Sequence, residues 1–433
     1  MVQIFSGDIA HVVADPFTHG DALQIIENGA FAVDEQGTIL ALDKRDRVTR
    51  RYPDAVETRF DGWVLPGMID GHIHFPQTFA TAAHGTHLLD WLERSVFPAE
   101  AAYADEDFAR SAAETFVDQL LRSGTTTALV FGSQFPGATR ALFQVAAEKG
   151  LRIISGLTLM DQGAPDALLH TVPQAEKLSR TLIEEVEKEP KLHYALTPRF
   201  ALSCTAEMMT LCGELARAYD GLYIQTHINE NGEEIEATAA AFPEAANYLD
   251  VYDRFGLLGS RTVLAHNIHT CDAQLKRLGE TGTAVCHCPA SNFYLGSGIF
   301  SLKRHRHHGV PVLVGTDIGA GTNFGVLEEL GSVYKAQQMQ RLSLNAAQLL
   351  YLGTLAGAEA LQMADRIGNF AVGKQADFVV IDTAEDPGLR LRLGFCHNPE
   401  DALFTQLNLV RPHHVRATAV AGRLHQPRGH GAV

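Results

Sequence analysis

Two histidines one residue apart, His72 and His74, close the stretch Leu65-Pro66-Gly67-Met68-Ile69-Asp70-Gly71-His72-Ile73-His74. In a strand the side chains alternate faces, so both imidazoles point the same way, about 7 Å apart, and Ile73 points to the other side. Two imidazoles on one face can clasp a single metal ion. Nitrogen ligands suit zinc, with bonds of about 2.0 to 2.1 Å, and also suit iron or nickel. A bare His-x-His is more often a surface strand with two solvated rings. The Pro-Gly turn before it, Asp70, and Gln77 behind a second proline, all ahead of a helical run starting near Leu88, favour the metal.

Other titratable residues stand where apolar runs stop: His227 after Leu222-Tyr223-Ile224-Gln225-Thr226, His266 after Thr262-Val263-Leu264-Ala265, and Asp317 just after Val310 to Gly315. His72, His74, His227 and Asp317 offer three nitrogens and one oxygen, leaving room for a water as in catalytic zinc sites. His266 then stands behind them or coordinates weakly. Glu230 follows His227 by three residues, a spacing that returns its carboxylate to the same side and suits a proton shuttle. The acids after it, Glu233, Glu234 and Glu236, read as solvated. Cys286-His287-Cys288 reads as buried strand rather than a soft metal site, because no second cysteine pair is near. His305-Arg306-His307-His308 and His413-His414 read as exposed ends of loops or helices.

Bringing these residues together requires a particular scaffold. Strand-like runs recur at Thr126–Phe131, Arg152–Leu157, His193–Thr197, Leu222–His227, Thr262–His266, Thr283–His287 and Val310–Gly315; with the His-Ile-His strand they make eight. The intervening segments are mostly long enough for a helix. Asp105 to Arg122, for example, carries Phe108, Ala112, Phe116 and Leu120 at helical spacing before Gly124. The pattern predicts an α/β fold, a (β/α)8 TIM-type barrel over residues 65–365, in which chemistry sits where strands end. Residues 1–64 and 366–433 have a different texture of short β segments with Gly and Asp punctuation, and are expected to pair into one small discontinuous β-sandwich domain. The last residues, Pro427 to Val433, are expected to fray.

Composition narrows the partners. Lys+Arg 35 against Asp+Glu 51 gives a formal charge of -16, which repels polyphosphate and leaves no nucleic-acid footprint, so a small-molecule partner is expected. Six scattered cysteines fit a reducing compartment. The first residues lack a basic, then apolar, leader, and no apolar run reaches 18 residues, so the expectation is a cytoplasmic protein with no membrane partner.

The motifs Pro-Gly-Met-Ile-Asp-Gly-His-Ile-His, Thr-His-Ile-Asn-Glu, Leu-Ala-His, Gly-Thr-Asp and the late Gly-Lys-Gln-Ala-Asp-Phe-Val-Val stand in an order that resembles the amidohydrolase superfamily, mononuclear deaminase branch. A narrower resemblance, to the guanine deaminases of that branch, rests on His74-Phe75-Pro76-Gln77, Leu88-Leu89-Asp90-Trp91-Leu92, Phe97-Pro98-Ala99-Glu100, Thr197-Pro198-Arg199-Phe200, His287-Cys288-Pro289-Ala290-Ser291-Asn292, Leu295-Gly296-Ser297-Gly298 and the run Gly315 to Gly321. Gly71 departs from the pattern, where a threonine is common. The resemblance implies a hydrolytic deaminase with one zinc ion, iron being the alternative, that converts guanine to xanthine and ammonia in purine catabolism as a homodimer. Members with two metals bridge them through a lysine on strand four, and His193 to Phe200 holds no lysine. The implied roles are proton acceptance by Asp317, proton shuttling by Glu230 and hydrogen bonding of the attacking oxygen by His266. A guanidinium fork onto the purine base falls to Arg199, an amide contact to Gln77, and ring packing to Trp91 and Phe200. Rival readings are a deaminase of another aminated heterocycle (a triazine, a pterin or a methylthioadenosine-type nucleoside) and a metal-bound binding protein without turnover.

Overall fold

The computed structural model describes residues 1–84 and 88–425, so the fraying expected for Pro427 to Val433 lies outside the described residues. By its contacts the chain divides into two compact units: residues 1–69, 119–127 and 325–433, and residues 70–118 and 128–324.

The first unit opens with β1 (Gln3–Val12), β2 (Leu23–Val33), β3 (Ile39–Lys44) and β4 (Val56–Pro66). The sequence hid β4, because Asp61-Gly62 in its middle reads as a turn. Its pairing with β1 shifts register there, from Ser6↔Arg59 to Asp8↔Trp63, so the pair of turn-forming residues is absorbed as a bulge.

The chain next runs through the barrel strands β5 (Met68–His74), β6 (Thr125–Phe131), β7 (Arg152–Gly156), β8 (Thr158–Leu159), β9 (Leu192–Pro198), β10 (Tyr223–Ile228), β11 (Thr262–His266), β12 (Ala284–His287) and β13 (Val312–Val314). It returns as β14 (Phe378–Ile381), β15 (Val415–Val420) and β16 (Arg423–His425). Both chain ends thus contribute to one seven-stranded sheet, in the order β16-β15-β14-β4-β1-β2-β3. Alternation sorts its faces: Phe5, Phe31, Val33, Phe370 and Phe378 share one cluster, and Ile4, Ala30, Ala32 and Ala41 share the other. The β2–β3 turn and the start of β3 also meet the segment ahead of β14, with Ala376 N donating to Gly37 O at 2.7 Å and Ile39 N to Lys374 O at 2.8 Å.

The eight barrel strands expected from the alternation all form, and run β13-β12-β11-β10-β9-β7-β6-β5, with β8 paired to β9 off that path. The helix Glu106–Arg122 buries Ala112, Phe116 and Leu120 and ends before Gly124, whose φ is +87°. Closure of strand eight onto strand one falls beyond β13: Asp317 N donates to His72 O at 2.8 Å and His74 N to Ile318 O at 3.2 Å. Gly315 permits that approach, since a Cβ there would lie 2.8 Å from the His72 backbone. Gly71 has a similar cause; a side chain there would meet Leu313 Cδ1 at 2.5 Å and Cys286 Sγ at 3.0 Å.

Cys286, His287 and Cys288 are buried, the first two on β12, as their sequence suggests. His305 and His414 correct the expectation of exposure. His305 is buried with its ring 4.1 Å from that of Phe300, and its Nε2 bonds Asn267 Nδ2 at 3.0 Å. His414 is buried, its Nδ1 accepting from Arg411 N at 3.0 Å. Among the described residues no helix is long and apolar enough to cross a membrane.

Candidate active site

The barrel delivers the expected ligands to one place. His72 and His74 end β5, His227 lies one residue before the end of β10, His266 ends β11, and Asp317 follows β13 by three residues. All are buried except His227, which is partly so. His72 Nε2 and His74 Nε2 each lie 3.2 Å from Asp317 Oδ1, and His74 Nε2 lies 3.1 Å from His227 Nε2. Four ligands around a tetrahedral zinc, at about 2.0 to 2.1 Å each, stand roughly 3.3 Å from one another. The spacing therefore fits the cation. His72 Nε2 is buried without a hydrogen bond, a gap that a cation would fill.

Tautomers and charges agree with that fit. His227 Nδ1 donates to Arg199 O at 2.6 Å, which leaves Nε2 bare for a metal. Burial lowers His74 to about 4, and burial together with the neighbouring imidazoles lowers His227 well below its ordinary value, so both stay neutral. Burial opposes the charge on Asp317, but His72, His74 and His266 outweigh it and hold the carboxyl well below the usual range. Two neutral imidazoles and a carboxylate are the forms a divalent cation takes.

Backbone strain gathers here too. Asn229, His266, Asn267 and Asp317 have φ of +49°, +73°, +47° and +52°. Non-glycine residues in this region cost about 1 to 3 kcal/mol each and persist where their surroundings fix them. Asn229 Nδ2 donates to Asn267 Oδ1 at 2.8 Å, tying two of the strained turns together. His266 gives Nδ1–H to Asn292 Oδ1 at 3.0 Å, so its Nε2 faces Asp317 Oδ2 at 3.7 Å and Glu230 Oε2 at 3.6 Å.

Glu230 is buried beside these groups, with Ser297 Oγ donating to its Oε1 at 3.2 Å. Burial and the Asp317 charge push its pKa up to about 8. Glu234 corrects the expectation of a solvated acid. It is buried, with Oε2 accepting from Glu230 N at 3.0 Å and Oε1 from Tyr248 Oη at 2.7 Å. Burial and the Glu230 charge push it up to about 7. The signal was present in Asn231-x-x-Glu234, a capping box that starts the helix Gly232–Ala241 and turns Glu234 back over its own N-terminus.

A cavity of about 410 Å³, open space at its mouth included, is lined by His74, Gln77, Trp91, Arg199, Phe200, His227, Glu230, Glu234, His266 and Asp317. All the expected substrate contacts thus share one cavity with His74, His227 and Asp317, three of the four expected ligands. Trp91 and Phe200 pack among Leu88, Leu92 and Leu168, and Trp91 Nε1 donates to Ala83 O at 3.1 Å. Gln77 follows β5 on a short turn and Arg199 follows β9. Both contact Glu100, to which the sequence assigned no role.

The family model described as amidohydrolase family matches residues 63–424 of the chain. A guanine deaminase of Escherichia coli (strain K12) is 40% identical over 419 residues, covering 96% of this chain and 95% of that protein. The solved structure of E. coli guanine deaminase superposes with a TM-score of 0.94 at 38% identity, over 99% of this chain and 100% of the other. That of a guanine deaminase from Bradyrhizobium japonicum gives 0.94 at 31% identity, over 99% and 100%.

Proposed function

The chain belongs to the amidohydrolase family and its activity is the hydrolytic deamination of guanine to xanthine and ammonia, and from that premise we propose which side chains carry the reaction. The supporting observation is the convergence of His72, His74, His227 and Asp317 at ligand spacing beside the buried Glu230. The catalytic barrel is assigned to 65–365 and the small β domain to 1–64 and 366–433, bounds drawn from the strand and helix pattern, whereas by contacts 325–365 group with the chain ends. Family membership also supports a homodimer in the cytoplasm and a place in purine catabolism.

His72, His74, His227 and Asp317 would hold one divalent ion, zinc on the resemblance, with iron as the alternative. When bound it supplies Lewis acidity, bringing the ionisation of water into the neutral range. Asp317 takes a proton from the attacking water. His266 hydrogen-bonds the same oxygen, its bare Nε2 accepting from the attacking water. Glu230, protonated at neutral pH, gives its proton to N3 of guanine, next to the carbon under attack. Left as a carboxylate, Glu230 takes the proton of the new hydroxyl and passes it to the leaving amine, so that ammonia departs as the carbonyl forms, and the proton held by Asp317 restores Glu230. Arg199 meets the O6/N7 edge of the base, Gln77 makes an amide contact, and Trp91 and Phe200 pack its ring.

Ammonia release from guanine, measured with metal content on the same sample and beside a triazine, a pterin and methylthioadenosine, tests this reading. Metal-loaded protein that releases none from guanine overturns it. His227→Ala is expected to bring bound metal close to zero in elemental analysis. An unchanged metal content would contradict the ligand role.

A further inference from the structure

Four hydrogen bonds converge on a carboxylate that the steps above leave unused. Glu100, on the helix Phe97–Ala101, is wholly buried. Gln77 Nε2 donates to Oε1 at 3.1 Å, Gln134 Nε2 to Oε2 at 2.6 Å, and Arg199 Nη1 to both oxygens at 2.8 Å. The guanidinium also sits 5.6 Å from the centre of the Phe97 ring. Gln77 and Arg199 line the cavity that holds Glu230.

These bonds fix the chemistry that the cavity presents. A carboxylate accepts and never donates, so the amide of Gln77 must turn its NH2 toward Glu100. Its Oε1, an acceptor, is then left without a partner among the described residues. Arg199 uses only Nη1 on Glu100, and its Nε and Nη2 make no hydrogen bond with the described residues. The wall therefore offers guanidinium donors beside one amide acceptor. The lactam edge of guanine offers the complement, an O6 acceptor adjoining an N1–H donor. We propose that Glu100 is a positioning and specificity-determining residue, holding the Arg199 fork and setting the polarity of the Gln77 amide so that together they read this lactam edge. The proposal rests on guanine as substrate. A base with a bare N1 and no O6, such as 2-aminopurine, would set its lone pair against the Gln77 oxygen and leave the fork unmet.

Glu100→Gln keeps the shape but supplies an NH2 of its own, so neither the Gln77 amide nor the guanidinium is held. The test is steady-state kinetics of this variant on guanine and 2-aminopurine, with metal content on each sample. The expected result is a loss of about 10- to 100-fold in kcat/KM for guanine and of at most about threefold for 2-aminopurine, with metal retained. A general structural role would lower both substrates alike, and equal losses overturn the proposal. Should Glu100→Gln fail to fold, Gln77→Met removes the acceptor at similar volume. An unchanged preference for guanine in that variant overturns the proposal as well. If the unmodified chain does not turn over guanine, the activity itself fails first, which separates the two outcomes.

Discussion

Glu230→Gln is expected to keep its metal and lose roughly 10²- to 10⁴-fold in turnover of guanine. Glutamine fills the same volume and can still accept from Ser297, so the loss isolates the ionisable proton. Glu230 is in neither group at ligand spacing beside it, which are His72, His74 and His227, and His72, His266 and Asp317; its Oε2 lies 3.6 Å from His266 Nε2. Burial and the Asp317 charge raise its pKa to about 8. The sign follows directly: a carboxyl with a raised pKa keeps its proton through neutral pH and gives it up as pH climbs past that value. A general acid of this kind makes kcat/KM for guanine fall on the alkaline side, with pH 8 as the upper bound for that fall. A divalent cation on Asp317 offsets part of that residue's push and leaves burial as the dominant cause, so the fall moves toward lower pH when metal is bound. The glutamine variant should lack this alkaline limb altogether. Near-normal turnover, or an unchanged limb, would remove Glu230 from the proton path.

The sequence signals that succeeded were periodic ones. Strand alternation put His72 and His74 on one face, and the recurrence of strand and helix put His227, His266 and Asp317 on the same rim. What stayed hidden was set by contacts between distant segments. Glu100 meets Gln77, Gln134 and Arg199 across separations of 23, 34 and 99 residues, which no local pattern records. His305 lies in a run of six basic residues, Lys303 to His308, yet Phe300 and Asn267 draw it inward. Glu234 was missed differently. Its capping box was readable, but its setting among Glu233 and Glu236 made solvent the simpler reading. The left-handed φ of His266 and Asp317 was equally invisible, because Asp and His enter that region more often than most residues but still only rarely, so the type alone does not mark it.

Arg199→Ala is expected to lower the stability of the protein by about 3 to 5 kcal/mol, in addition to its cost in guanine turnover. Arg199 is 3% exposed and Glu100 is 0% exposed, so truncation leaves a carboxylate in the interior without its cation. The two glutamine amides that remain, at 3.1 and 2.6 Å, supply dipoles but no charge. A surface pair would be worth about 0 to 1 kcal/mol, and burial is what makes the difference. In urea the unfolding midpoint should fall with little change in slope, since the surface exposed on unfolding is nearly the same. The origin of the loss can be separated by a second substitution. If the stranded charge is the cause, Arg199→Met combined with Glu100→Leu should recover much of the stability, because apolar replacements of similar volume at a buried pair are often neutral. The same double variant should stay poor on guanine, having lost the fork. Arg199→Lys should also fail to restore guanine turnover, since an ammonium cannot hold Glu100 and present a planar fork to the base at once. A midpoint unchanged in Arg199→Ala would mean that water or a rearranged side chain reaches Glu100, and that the pair is not the buried anchor its geometry describes.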